Sequence, residues 1–206
     1  MAAFLVLEDG TVYRGRPYAG HGVAVGEVVF TTSMTGYQEV VTDPSFAGQL
    51  VTFTQPMIGN YGVEQDVSES SRPHAMAVIV REGRNATPGG RSGFADWLSE
   101  RDVVGLQGVD TRAVTRRLRS GGSLRGAVSS GSASVAEVLE MVRAAPSMAG
   151  QALAYMLGKL EIDRWRAERS KAEGSAFDLR AFHDGVLALG SLPLSSLARE
   201  LGVAPA

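Results

Sequence analysis

Hydrophobic and polar positions over the first two-thirds of the chain come in short runs broken by turn residues. In "AFLVLEDGTVYRGRPY" an apolar run meets Asp9-Gly10 and is followed by Val12, Tyr13 and Arg14 in alternation, a pattern that predicts a β-hairpin. β-Branched runs at Val28 to Thr32 and Leu50 to Thr54, bounded by Gly, Pro, Asp and Asn clusters, predict core strands. The unbroken apolar stretch Ala75 to Val80 predicts a strand buried on both faces. Helical period then enters. Phe94, Trp97 and Leu98 share one face of a short helix, with Ser92 expected as its cap and Arg101 at its negative pole. "VVGLQGV" returns to strand. A helix from Asp110 to Arg119 is expected next, capped by Asp110, apolar at Val114 and Leu118, crowded by Arg116, Arg117 and Arg119, and stopped by Gly121. "SLRGAV" predicts a further strand. "SVAEVLEMVRAAP" predicts a helix with Ser134 and Glu137 at the capping-box positions and Pro146 closing it. The class is mixed α/β.

Past Ala149 the texture changes. "GQALAYMLGKLEIDRWRAERSKAEG" places Leu153, Met156, Leu157, Leu160 and Trp165 at helical spacing and predicts one helix of about 20 residues with Gly174 as its stop. "FDLRAFHDGVLALG" and "LPLSSLARELG" predict a helix pair, the second opened by Pro193. This all-α tail carries both lysines, Lys159 and Lys171. It is short enough that burial within it is marginal, since below roughly 40 to 60 residues independent cores are small.

Composition narrows the chemistry. The 206 residues carry 20 basic and 22 acidic side chains, a formal charge of −2, interspersed along the chain. Such a balance offers no footprint for nucleic acid or an anionic membrane. There is no cysteine, so no disulfide, thiolate metal site or Cys nucleophile can form among these residues. With neither a signal-like start nor an apolar run long enough to span a bilayer, a soluble, cytoplasmic protein is expected. His21, His74 and His183 are isolated in sequence and match no metal-ligand spacing, so structural roles are expected for all three, and neither metal nor cofactor is expected. "GRNATPGGRSG" has glycines but no GK[ST] in a strand-to-helix setting, and reads as a mobile surface loop.

The conspicuous stretch is "TSMTGYQEVVTDPSFAGQ", which reads as an ordered loop. Gly36 and Gly48 permit positive φ, Asp43-Pro44 starts a turn, and Ser33, Thr35 and Ser45 offer hydroxyls to backbone or ligand. "QPMIGNYG" adds a tight turn at Gly59 and Asn60.

Taken in order, "LEDGTVYRG", "GEVVFTTSMTGYQEVVTDPSFAGQLVTFTQPMIGNYGV", "ESSRPHAMAVIVRE" and "WLSERDVVGLQGVDTRAVTRRLRSGGSLRGAV" resemble the N-terminal domain of the carbamoyl phosphate synthetase small, glutamine-hydrolysing subunit over residues 2–148. The resemblance implies a swivelling β/β/α domain, a mixed sheet with short helices, that docks on the synthetase large subunit. It also implies that Ser45 lies by the glutamine site as a ligand contact, and that the arginines of the "DTR" helix form a solvated or partner-facing stripe. Members of that family continue into an amidotransferase domain in which a Cys thiolate attacks the glutamine amide, with a His oriented by a Glu relaying protons. Lacking any cysteine, this chain is expected to hold no catalytic residue for that reaction.

Residues 149–206, with "GQALAY", "FHD" and "GSLPL", resemble instead the C-terminal end of a bacterial family, domain of unknown function 885, whose full-length members look like HExxH zinc peptidases. The zinc motif is absent here, so Tyr155 and His183 are expected to be packed structural residues. The expectation is therefore a hybrid, with a docking domain at 1–148 and a helical tail from a different family at 149–206, meeting near Ser147 to Gly150. The function expected is that of a carbamoyl phosphate synthetase small-subunit-like protein of pyrimidine and arginine synthesis, reduced to its docking domain. Its partner is the large subunit, with neither nucleic acid nor membrane. A hydrolase remnant and a hybrid without function are the alternatives.

Overall fold

The computed structural model describes residues 3–122, 124–145, 150–189 and 194–203, without the side chains at 65, 150–157 and 195. It divides into two compact units, Met1–Met148 and Ala149–Ala206.

The first unit is mixed α/β. Its strands are β1 (Ala3–Leu7), β2 (Val12–Ala19), β3 (Val23–Thr31), β4 (Gln49–Phe53), β5 (Ala77–Val80), β6 (Val104–Gln107) and β7 (Leu124–Ser129). They close into a barrel in the order β1-β2-β6-β5-β4-β3-β7. The expected hairpin is present, with Val6 opposite Val12 and Thr11 N–H donating to Asp9 Oδ1 at 2.8 Å. β3, β4, β5 and β6 run parallel in turn, whereas β7 is antiparallel to both β1 and β3. A mixed sheet was legible in the strand runs. Its closure was not, because closure depends on pairings between residues more than a hundred apart.

Strand alternation sorts the core into layers. Ala3, Leu5, Leu7, Val28, Leu50, Ala77, Ile79, Leu106 and Val128 form the set drawn from nearly every strand, the barrel interior. The alternate positions Val51, Phe53, Val78 and Val80 pack outward against α1 (Tyr37–Thr42) and α2 (Phe94–Ser99). Phe4, Val6 and Ala127 pack outward against Val138 and Val142 of α4 (Val135–Ala144). All four residues of β5 are buried, as its continuous apolar character requires.

Local signals account for most helix ends. Asp110 caps α3 (Thr111–Gly121), accepting from Ala113 N–H at 3.0 Å, and Val114 and Leu118 join the barrel interior. The helix stops at Gly122, with φ 75°, one residue later than expected. Ser134 and Glu137 make the full capping box of α4. Pro146 lies outside the described residues. Ser92 does not cap α2. Asn85 Oδ1, brought across from the preceding loop, accepts from Ala95 N–H at 2.9 Å and Asp96 N–H at 3.3 Å. The stretch read as a mobile loop thus anchors a helix and contains a 3-10 turn at Pro88–Gly90. Arg101 lies at the end of α2 as expected, donating to Trp97 C=O at 3.2 Å, its guanidinium 4.6 Å from the Trp97 ring centre.

In the second unit the described elements are helices: α5 (Gly150–Glu173), a 3-10 turn (Gly174–Ala176), α6 (Leu179–Ala188) and α7 (Leu194–Glu200). Trp165, Phe182, Leu197 and Ala198 form their core. Leu160, expected on the apolar stripe of α5, is instead 54% exposed. Leu153, Met156 and Leu157 have side chains outside the described set, and Pro193 is outside the described residues altogether. No described helix is long and apolar enough to cross a membrane.

One ion pair ties the end of β1 to β7. Arg125 donates to Glu8 Oε2 through Nε at 3.0 Å and Nη2 at 2.8 Å, and its backbone N–H reaches Glu8 Oε1 at 2.9 Å. That backbone hydrogen bond, ahead of the guanidinium, holds the Glu8 carboxyl below the ordinary carboxylate range. A carboxyl whose folded pKa is depressed adds stability that is present above the unfolded value and lost as pH falls through the folded one. Denaturant titrations from pH 6 downward should therefore show stability falling below about pH 4.5, with a shallower fall in Glu8→Gln. An unchanged slope in that variant would assign the acid sensitivity elsewhere.

Candidate functional site

The stretch from Thr32 to Gln49 is not a loop throughout, as its turn residues implied. Tyr37, Gln38, Val41 and Thr42 lie at helical spacing, are all buried, and form the inner face of the six-residue α1. Gly36, at φ 84°, gives α1 a left-handed entry that a residue with Cβ adopts only at a cost. Asp43 then caps a 3-10 turn, Pro44–Phe46, by accepting from Ser45 N–H at 2.8 Å. Gly48 returns the chain to β4 with φ 75°, so both glycines occupy the positive-φ region anticipated for them.

Buried polar side chains bind this segment to the loop at 61–70. The Tyr37 hydroxyl donates to Gly62 C=O at 2.6 Å and accepts from Tyr61 N–H at 3.2 Å. The Tyr61 hydroxyl accepts from Gly36 N–H at 2.7 Å. The two rings stack with centroids 4.2 Å apart, and Phe94 lies 4.4 Å from Tyr37. Burial pushes the Tyr37 phenol well above its ordinary pKa, which favours the neutral donor form. Gln38 acts as a two-way clamp. Its Oε1 accepts from Glu64 N–H at 2.9 Å, while its Nε2 donates to Glu64 C=O and, at 2.9 Å, to Ser68 Oγ. Thr42 Oγ1 accepts from Glu69 N–H at 3.0 Å, and Ser70 Oγ donates to Thr42 C=O at 2.6 Å. The sequence marks these residues only weakly. The signal available was the i, i+1, i+4, i+5 spacing of "YQxxVT", hidden by flanking turn residues.

Outward, this platform presents Thr32, Ser33, Thr35, Pro44 and Ser45, all exposed, and Met34, which is 80% exposed. Ser45 sits on the 3-10 turn, its backbone engaged and its side chain toward solvent. Ser33 Oγ accepts from Thr31 Oγ1 at 3.1 Å. Glu39 Oε2 is buried without a hydrogen-bond partner among the described residues. Behind α1, Gln38, Thr42, Ser68, Arg72, Trp97 and Arg101 help line a cleft of about 350 Å³. Among the described residues no hydrogen bond between a hydroxyl of the platform and a histidine side chain is present.

His21 and His183 are exposed and His74 is half-buried. His183, expected to be packed, is exposed because Phe182 takes the inward position of α6; the two rings lie 5.6 Å apart. The Tyr155 side chain lies outside the described set. No group of three or more His, Cys, Asp and Glu that could hold a metal ion occurs among the described residues.

Residues 5–128, which include every strand but the ends of β1 and β7 and the whole platform, match the family model "Carbamoyl-phosphate synthase small chain, CPSase domain". The chain belongs to the carbamoyl-phosphate synthase small chain family. Curated small chains of the family are similar well beyond the matched segment. That of Nitratidesulfovibrio vulgaris (strain Hildenborough) is 45% identical over 174 residues, 84% of this chain and 46% of its own length. That of Parasynechococcus marenigrum (strain WH8102) is 50% identical, covering 79% of this chain and 43% of its own. That of Synechocystis sp. (strain PCC 6803) is 41% identical, covering 98% and 51%. The chain thus spans about half the length of the curated small chains it matches. A second model, "Bacterial protein of unknown function (DUF885)", matches residues 124–201. Its description assigns the tail no chemistry, and the zinc-peptidase likeness expected there finds no support in it. An aminopeptidase from Aneurinibacillus sp. strain AM-1 is similar over 62% of this chain and 30% of its own, at 17% identity and a TM-score of 0.36, too low to carry meaning for fold or chemistry.

The clamp at Gln38 is the platform's most connected point. Gln38→Ala would remove three part-buried hydrogen bonds to Glu64 and Ser68, and should destabilise the first unit by about 1 to 2 kcal/mol. Hydrogen exchange should quicken at residues 61–70 more than in the barrel strands; uniform exchange would show that the loop holds without the clamp.

Proposed function

We propose that the first unit is the docking domain of a glutamine-dependent carbamoyl phosphate synthetase small subunit, the swivelling β/β/α module of that family, and that its partner is the synthetase large subunit in the cytoplasm. The observation that supports this best is the family match across residues 5–128, which encloses the platform built on α1. A rigid surface held by buried hydrogen bonds suits docking, because little conformational entropy remains to be lost on binding. Ser45 is the ligand contact in this reading. It would meet glutamine only when a glutaminase domain covers the platform, as its exposed position on the 3-10 turn allows. The 206 residues contain no cysteine, so they supply no thiolate for glutamine hydrolysis. Residues 149–206 are, in this reading, a helical tail from a different family, joined near Ser147 to Gly150.

Gel filtration with a purified synthetase large subunit from one of the curated relatives' organisms tests the docking. Co-elution at micromolar concentration is expected, without glutaminase activity in the full chain alone. Separate elution at that concentration would overturn the reading. With a glutaminase half supplied in trans, Ser45→Ala should raise the KM for glutamine about tenfold, the loss of one hydrogen bond, and leave large-subunit binding unchanged. Sequencing of the locus across the codons for Pro146 to Leu153 tests the junction. A frame running from Ser147 into a domain with a Cys-His-Glu set would remove the tail from the protein.

A further inference from the structure

Two consecutive residues after β1 hold two different helices. Strand alternation puts Phe4 and Val6 on the outward face, against Val138 and Val142 of α4, and Leu5 and Leu7 on the inward face, in the cluster with Val114 and Leu118 of α3. The ladder runs one residue past the strand, since Glu8 N–H donates to Arg125 C=O at 2.9 Å. Glu8 and Asp9 follow the same alternation, each carrying a carboxylate toward the helix on its own side.

The inner arm is Asp9. Its Oδ1 accepts from Thr11 N–H at 2.8 Å, which fixes the turn, and its Oδ2 accepts from Arg117 Nε of α3 at 2.9 Å and from Arg117 Nη2. The outer arm is Glu8. Both its oxygens are taken by Arg125 of β7, through the backbone N–H at 2.9 Å, Nε at 3.0 Å and Nη2 at 2.8 Å. That leaves Arg125 Nη1, which donates to Ala145 C=O at 2.5 Å. Ala145 is the C-cap of α4, where carbonyls lack partners within the helix and a cation is favoured. Glu8 thus orients the guanidinium that closes α4.

Charge-assisted, two-pronged hydrogen bonds fix orientation as well as distance. A shift in either arm therefore pulls on the turn that carries both. The Asp9 and Glu8 side chains are only 23% and 27% exposed, so salt weakens the arms less than it would on an open surface.

We infer that the Glu8–Asp9 turn is a two-armed tie that couples α3 to the C-terminal end of α4, the last element of the first unit. Loosening one arm loosens the helix held by the other, in either direction. A displacement of α3 is thereby relayed to the segment that follows Ala145. The inference goes beyond the docking function and does not require it.

The test is hydrogen exchange on the full chain, read by mass spectrometry in peptides covering Thr111–Gly121 and residues 141–145. The samples are wild type, R117Q, R125Q, the double variant and a control, R101Q, whose hydrogen bonds stay within α2 and its C-cap. Near-ultraviolet circular dichroism and exchange in β4 and β5 check that the barrel is intact. R125Q should speed exchange at 141–145 directly. R117Q should speed it there by about fivefold, the lower end of ordinary couplings, although the hydrogen bonds it removes are to Asp9. R125Q should in turn speed exchange in α3, the effects in the double variant should fall short of multiplying, and R101Q should match wild type at both places. Quickening confined to α3 in R117Q and to α4 in R125Q would overturn the coupling, showing two independent anchors. Unchanged exchange at 141–145 in R125Q would overturn the outer arm. Quickening in R117Q that extends equally to β4 and β5, or that appears also in R101Q, would overturn the tie as well, since a general loss of stability would then account for the change.

Discussion

Closure of the sheet by β7 is the constraint on which the rest of the first unit depends. Val128 lies opposite Leu5 on one side and Ala24 on the other, so one strand joins the N-terminal hairpin to the parallel run β3-β4-β5-β6. Once the sheet is closed, every strand has an inward face that must be apolar and an outward face that must be covered. The outward residues of β4 and β5 are covered by α1 and α2, and those of β1 and β7 by α4. Closure also removes free strand edges from this sheet. A partner therefore cannot bind by extending it, and recognition has to pass through side chains on helices and turns. The platform over α1 is one place where the fold presents such side chains.

Features that depend on neighbours in sequence were legible. The Asp9-Gly10 hairpin, the Asp110 cap, the Ser134–Glu137 capping box and the doubly buried strand at Ala77–Val80 are each determined within a few residues. Features that depend on distant residues were not. Asn85 displaced Ser92 as the cap of α2 because the chain returns there from β5, a geometry no local pattern encodes. α1 was hidden because Gly36, Asp43 and Pro44 all advertise turns, while six residues give less than two helical turns of periodicity. Gln38 was missed for a related reason. An amide side chain carries no hydrophobic signal, and its value lies wholly in the Glu64 and Ser68 groups it meets. Ser45 was accessible only through family resemblance, since an exposed serine on a 3-10 turn has nothing in its spacing that separates it from any other.

The second unit rests on a different balance. Along α5, Lys159 pairs with Asp163, Arg164 with Glu161 and Glu168, and Arg169 with Glu173. Such exposed helix pairs contribute about 0.3 to 0.5 kcal/mol each, so they support the helix without determining its packing. That falls to Trp165 and Phe182, with Leu197 and Ala198 of α7. Even there the Trp165 indole N–H is buried without a partner among the described residues, a cost the core must absorb. Leu160, Leu179 and Leu187 remain substantially exposed.

The platform and α3 are seated on the barrel in different ways. The platform is held by neutral groups: a tyrosine kept un-ionised by burial, a glutamine amide and a threonine hydroxyl, all meeting backbone. Charge enters this network at its rim, where Arg91 donates to Tyr61 C=O at 3.0 Å and pairs with Glu64, so salt should loosen its edge before its centre. On α3 the charged contacts reach back to the barrel, from Arg117 to Asp9 and from Arg119 to the face of the Phe30 ring, so salt acts on how the helix is tied down and leaves its apolar seat at Val114 and Leu118 unchanged.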